Sequence, residues 1–155
     1  MPELEVIRKT VPAMTIAAIR VEIPTNDQVG DLLPKAFDDL FGALGRAKVP
    51  ARSPAMAFWH STPAMLTDET VDAAAEIEPG KTSLSGLSVL EIPETEVASV
   101  VHTGPFSEFR QCHVALSEWL AENGFRLEGA YREIYHTCPS DEATTEVQYP
   151  IVKDQ

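Results

Sequence analysis

The sequence predicts an α+β domain made of two copies of a β-α-β-β module, with antiparallel sheets, two helices on one face and a central ligand cleft. Three observations carry this expectation. The chain has 155 residues, 44% of them hydrophobic and 23% charged, which suits one domain that buries a core without disulfides or metals. Two stretches with helical spacing of apolar residues are each set among short runs of strand character. The order of signals around the first helix then recurs around the second. Val11-Pro12 followed by Thr15-Ile16-Ala17-Ala18 is echoed by Ile92-Pro93 followed by Glu96-Val97-Ala98-Ser99, and Trp59-His60-Ser61-Thr62-Pro63 by Tyr135-His136-Thr137-Cys138-Pro139. We expect a single domain over 1–155, with module 1 at about 1–80 and module 2 at about 89–155.

Taken in order, the first strand runs from Ile7 to Ile23, interrupted by Pro12, and its Met14-Thr15-Ile16-Ala17-Ala18-Ile19 segment is apolar on both faces, as in a central strand. Pro24 and Asn26 stop it. Leu33, Phe37, Leu40, Phe41 and Leu44 then mark one face of a helix from Asp31 to Leu44. Pro34 is tolerable only in the first turn of that helix, and Gly45 is a natural residue just past its end. Ala55 to His60 and Val71 to Glu78 read as strands flanking an acidic turn at Asp68-Glu69. Of the first of these, Phe58 and Met56 are expected in the core under the helices. The Ser-, Gly- and Thr-rich residues 80–88 read as a linker.

In the second half, Glu96 to Val101 forms a strand, and Ser107 is the candidate N-cap of a helix whose buried face carries Phe109, Cys112, Leu116, Trp119 and Leu120. Asn123-Gly124 ends it with residues that tolerate left-handed backbone. A hairpin follows, Tyr131 to His136 returning through Thr145 to Ile151. Side chains alternate along a strand. Tyr131, Glu133 and Tyr135 therefore share one side and Arg132, Ile134 and His136 the other, while Glu146 and Gln148 oppose Val147, Tyr149 and Ile151. If Val147, Tyr149 and Ile151 pack under helices together with Ile134, both carboxylates and both tyrosines meet on the uncovered face. Trp59 occupies the place equivalent to Tyr135 and is expected in the same cleft. Carboxylates framed by aromatic rings suit an amphipathic cation, and they also suit a general base.

The charge balance bounds the partners. With 24 acidic and 12 basic residues the net charge is −12, which disfavours direct contact with nucleic acid and focuses cations into any concavity. No apolar run reaches membrane-spanning length, and the acidic Met1-Pro2-Glu3-Leu4-Glu5 start lacks the apolar core of a secretory signal, so a cytoplasmic location is expected. Cys112 and Cys138 lack C-x-x-C spacing and read as reduced structural thiols. His60, His136, His102 and His113 have no Cys, His or carboxylate at ligand spacing, so no metal is expected. No P-loop, G-x-G-x-x-G or G-x-S-x-G pattern is present, and no cofactor is expected.

The stretch Val100-Val101-His102-Thr103-Gly104-Pro105-Phe106-Ser107, the helix end Trp119-Leu120-Ala121-Glu122-Asn123-Gly124, and the hairpin Arg132-Glu133-Ile134-Tyr135 with Thr145-Glu146-Val147-Gln148-Tyr149-Pro150-Ile151 resemble the GyrI-like small-molecule-binding family. That family shares its domain with the effector-binding halves of BmrR-type multidrug-sensing regulators. The resemblance implies a hydrophobic cleft for bulky, often cationic, aromatic compounds, bound or sequestered with Glu133 as charge partner. Glu146 would be the second acid, Tyr135, Tyr131 and Trp59 the walls, and Gln148 would stand where drug sensors carry an aromatic. It also implies a rival, hydrolysis of cyclopropane-bearing or other electrophilic compounds, with Glu146 as general base and Tyr135 as hydrogen-bond donor. A third implied role is modulation of DNA gyrase, or partnership with a separate regulator, since the chain carries no helix-turn-helix pattern.

Overall fold

The computed structural model describes residues 4–60, 67–80, 83–104, 109–136 and 144–154. Among these residues the elements in chain order are β1 (Ile7–Val11), β2 (Met14–Thr25), a 3-10 turn (Asn26–Gln28), α1 (Val29–Ala47), β3 (Ala55–Trp59), β4 (Thr67–Ile77), β5 (Ser88–Ile92), β6 (Thr95–Thr103), α2 (Phe109–Asn123), β7 (Phe125–Leu127), β8 (Tyr131–Tyr135) and β9 (Thr144–Lys153). The fold is α+β with antiparallel strand pairing, as expected. The chain forms two compact units, one of Ala13–Pro93 and one assembled from Met1–Pro12 with Glu94–Gln155.

In the unit of Ala13–Pro93 the strands lie in the order β3-β4-β2-β5. The apolar run of β2 places it centrally, with Thr15, Ile16, Ala17 and Ala18 all buried. Helix α1 covers one face: Leu40 and Leu44 pack with Ala17, Ala75, Ile77 and Val49. A fully buried leucine such as Leu40 stabilises by about 2 kcal/mol. Phe41, expected on the buried face, is 39% exposed and stacks on Phe37 instead. The supposed linker contributes Leu84 and Leu87, which pack against the same cluster.

Helix α1 is longer than the periodicity suggests. It begins at Val29, so Pro34 lies in its second turn rather than its first. The carbonyl that Pro34 cannot satisfy belongs to Gly30, which is exposed and reachable by water. The end also shifts, because Gly45 stays helical and Lys48 takes the left-handed conformation at φ 59°. Val49 N–H then reaches the Leu44 carbonyl at 3.0 Å and Lys48 N–H the Gly45 carbonyl at 3.2 Å. This is a Schellman closure whose apolar partners, Val49 and Leu44, share the core.

Strand β4 also exceeds its expected length. Asp68 and Glu69, read as a turn, lie inside it, with Asp68 at φ 56°. Asp tolerates that region better than most residues. Ile23↔Glu69 and Thr25↔Thr67 flank the position where Pro24, without an N–H, offers no ladder bond.

In the second unit the order is β1-β6-β9-β8, with β7 also pairing β9. Matching β6 with β2, β9 with β4 and β8 with β3 gives both units the same strand order, which is the duplication expected from the sequence signals. The run from Ile7 to Ile23 is two strands, and Pro12 divides units as well as strands. The segment before each long first strand, β1 or β5, pairs with the first strand of the other repeat. Helix α2 buries Cys112, Leu116 and Leu120, while Trp119 stacks on Phe125 at 5.5 Å. Gly124, at φ +76°, ends it, and its carbonyl accepts the Asp154 N–H at 2.8 Å. The N-cap expected at Ser107 and the turn through Cys138 lie outside the described residues.

Candidate ligand-binding residues

The hairpin register decides the faces. Directly opposed residues of an antiparallel pair share a side, and the pairs are Arg132↔Gln148, Glu133↔Val147, Ile134↔Glu146 and Tyr135↔Thr145. Tyr131, Glu133 and Tyr135 therefore lie with Val147 and Tyr149, whereas Glu146 and Gln148 lie with Arg132, Ile134 and His136. The expected convergence of both carboxylates is thus corrected: Glu133 and Glu146 point to opposite faces of their sheet. A shift of one residue in pairing exchanges the two sides, and alternation within each strand cannot fix that shift.

Helix α2 sits on the Glu133 side. The His113 ring meets Tyr131 edge-on at 5.2 Å, and His113 Nδ1 lies 2.6 Å from the Tyr149 hydroxyl. Burial lowers the His113 pKa to about 4 and raises that of Tyr149, so both are neutral at ordinary pH. Two strand positions beyond Tyr131, Glu133 is only 6% exposed and accepts a 2.6 Å hydrogen bond from the Tyr135 hydroxyl. A half-covered tyrosine, a buried tyrosine and a buried carboxylate thus line one side of β8.

On the other side Glu146 is locked. Ser99 Oγ donates to Oε2 at 2.6 Å and Gln148 Nε2 at 2.8 Å, Lys9 Nζ lies 2.6 Å from the same oxygen, and His136 Nε2 lies 3.1 Å from Oε1. Burial pushes this carboxyl up, but the bonds from Gln148, Lys9, Ser99 and His136 outweigh it and hold the pKa at about 2. A carboxylate so stabilised is a weak proton acceptor. Gln148 is one of the groups that fix it.

The repeat extends to this arrangement. In the unit of Ala13–Pro93, His60 Nε2 lies 2.8 Å from Asp72 Oδ2, and Arg20 donates to Asp72 through Nε at 2.9 Å and Nη2 at 3.2 Å. Burial raises the Asp72 pKa, and the bonds from Arg20 and His60 bring it below its ordinary value. His60 and His136 also donate their backbone N–H groups to Thr70 and Thr144, at 2.9 and 3.0 Å. Both histidines thus have carboxylate partners, which sequence spacing misses because each comes from the neighbouring strand. Trp59 and Tyr135 do hold equivalent places: Trp59↔Val71 matches Tyr135↔Thr145. Trp59 is buried on the α1 side of its unit, whereas Met56 and Phe58, expected under that helix, pair with Ala74 and Asp72 on the opposite side. Lys9, Ser99, Arg20 and Asp72 went unnoticed in the sequence, since only pairing reveals them.

Repeated β-α-β-β units with a buried acid beside tyrosines describe this α+β domain. The C-terminal domain of EcmrR has this fold at TM-score 0.77 and 18% identity, covering 97% of this chain and 98% of that one. In the EcmrR-DNA complex the TM-score is 0.81 at 19% identity, and this chain, 97% covered, spans 58% of the EcmrR chain. A hydrolase from Listeria innocua matches at TM-score 0.69 and 17% identity over 98% of this chain and 94% of its own. SAV2435, solved bound to tetraphenylphosphonium, matches at 0.67 and 9% over 96% and 94%. No protein of curated function matches the sequence. The chain belongs to the family of the GyrI-like small molecule binding domain, whose model spans residues 4–152.

Proposed function

We propose that this small-molecule-binding domain takes amphipathic, cationic or polyaromatic compounds on the helix side of β8, with Glu133 as counter-charge and Tyr131 and Tyr135 as ring walls. The observation that carries the reading is the carboxylate of Glu133, 6% exposed and held by the Tyr135 hydroxyl between positions occupied by aromatic rings. Burying a carboxylate costs several kcal/mol unless donors or a cation compensate, and aromatic faces add attraction for a cation. The tetraphenylphosphonium held by SAV2435 is a compound of this class. Binding alone, in the cytoplasm, would lower the free concentration of such a compound, and in a regulator partner it would serve as a sensing step.

Hydrolysis through Glu146 is less well supported, because four groups already occupy that carboxylate and depress its basicity. Gln148 and Glu146 are assigned to a supporting cluster under this reading. Isothermal titration with tetraphenylphosphonium provides the test. The unmodified chain should bind with saturation, and Glu133→Gln should weaken binding about 10- to 100-fold, the equivalent of one charge-assisted contact. Equal affinity in Glu133→Gln would remove the reading. Turnover of a cyclopropane-bearing electrophile beyond one equivalent, abolished by Glu146→Gln, would put the enzyme in its place.

A further inference from the structure

The unit of Ala13–Pro93 holds a second buried acid besides Asp72. Glu69 is 4% exposed, and among the described residues its Oε1 has no hydrogen-bond partner. Its place follows from pairing. Glu69 lies opposite Ile23 and, two residues before Val71, on the α1 side of β4; Trp59, opposite Val71, lies on that same side at 5% exposure. Glu69 thus shares with Trp59 a face that β4 lines further on with the apolar Val71, Ala73, Ala75 and Ile77. Asp72, by contrast, one face over, is held by Arg20 and His60.

A buried carboxyl oxygen without a donor forfeits its hydration and receives nothing in return. Such a group persists where something outside the chain supplies the missing partner. The geometry points to Glu69 as an acidic ligand contact separate from Glu133, accepting the cationic or N–H-bearing part of an aromatic guest whose ring lies against Trp59. This assignment rests on the ligand class proposed above and extends it to residues of the other unit. Burial raises the Glu69 pKa, so the charged form there calls for a compensating charge. A cation supplies that charge, so a proton held by the carboxyl passes to solvent as the guest binds.

Titration calorimetry with tetraphenylphosphonium, run in two buffers of different ionisation enthalpy between about pH 4.5 and 6, tests this. The unmodified chain should release protons on binding. Glu69→Gln, close in shape and neutral, should melt at the same temperature, bind at least about fivefold more weakly and lose that release. Absence of proton release by the unmodified chain would overturn the assignment whatever the variant does. Binding by Glu69→Gln within about twofold, while Glu133→Gln weakens it, would overturn the assignment and leave the reading of Glu133 standing. Loss in Glu69→Gln without loss in Glu133→Gln would support Glu69 and refute Glu133. No binding by the unmodified chain would overturn both.

Discussion

His113 and Glu146 make acid stability a two-step property at the scale of single residues. His113 has a folded pKa of about 4 because of burial, below its ordinary 6.5. The unfolded chain therefore binds the extra proton between these values, and stability falls as pH drops through that window by up to about 3 kcal/mol. Glu146, held at about 2 against an ordinary 4.5, contributes stability that is complete above 4.5 and is lost as pH falls towards 2, again by up to about 3 kcal/mol. Urea unfolding across pH should show both slopes. Glu146→Gln should reduce the lower one, leaving the part that Asp72 carries, and spare the upper; a lower slope of unchanged size would show that other carboxylates carry it. The candidate residues Glu133, Tyr131 and Tyr135 could be named from alternation alone. Their separation from Glu146 and Gln148 could not, because it depends on which residue of β9 faces which residue of β8.

At the scale of elements, the helices were visible through apolar spacing, and so was the end of α2 at Gly124, whereas the two ends of α1 were not. Gly45 offered the obvious stop for α1, yet the closure falls at Lys48 because Val49 must return to the core and its N–H must meet Leu44. A lysine in left-handed backbone costs more than a glycine there. Lys48→Gly should raise unfolding stability by about 0.5 to 1 kcal/mol in chemical denaturation. An unchanged or lower midpoint would mean that the lysine side chain compensates for its backbone. Strand β4 shows the same limit of local reading, since Asp68 and Glu69 look like turn residues and are held in a strand by pairing with β2.

At the scale of the molecule, the net charge of −12 repels itself in the compact state more than in the expanded one. Raising salt from about 0.05 to 0.5 M should therefore raise Tm by a few degrees, and differential scanning calorimetry would show it. A Tm that falls instead would mean that ion pairs such as Arg20–Asp72 outweigh the repulsion. The duplicated pairing order also belongs to this scale. Trp59-His60 and Tyr135-His136 announce it in the sequence, and the matched bonds of both histidines realise it.

The sequence by itself determined the fold class, the repeat, the buried faces of the two helices apart from Phe41, and the short set of acids and rings from which a binding site could be built. These follow from periodicity and composition, which act over a few residues. Only tertiary structure decided that β1 joins the C-terminal unit, that Glu146 is closed off by Ser99, Lys9, His136 and Gln148, that Glu133 turns the other way, and that Glu69 is buried. Each of these depends on strand register, which is set by contacts between residues far apart in the chain and has no local signature.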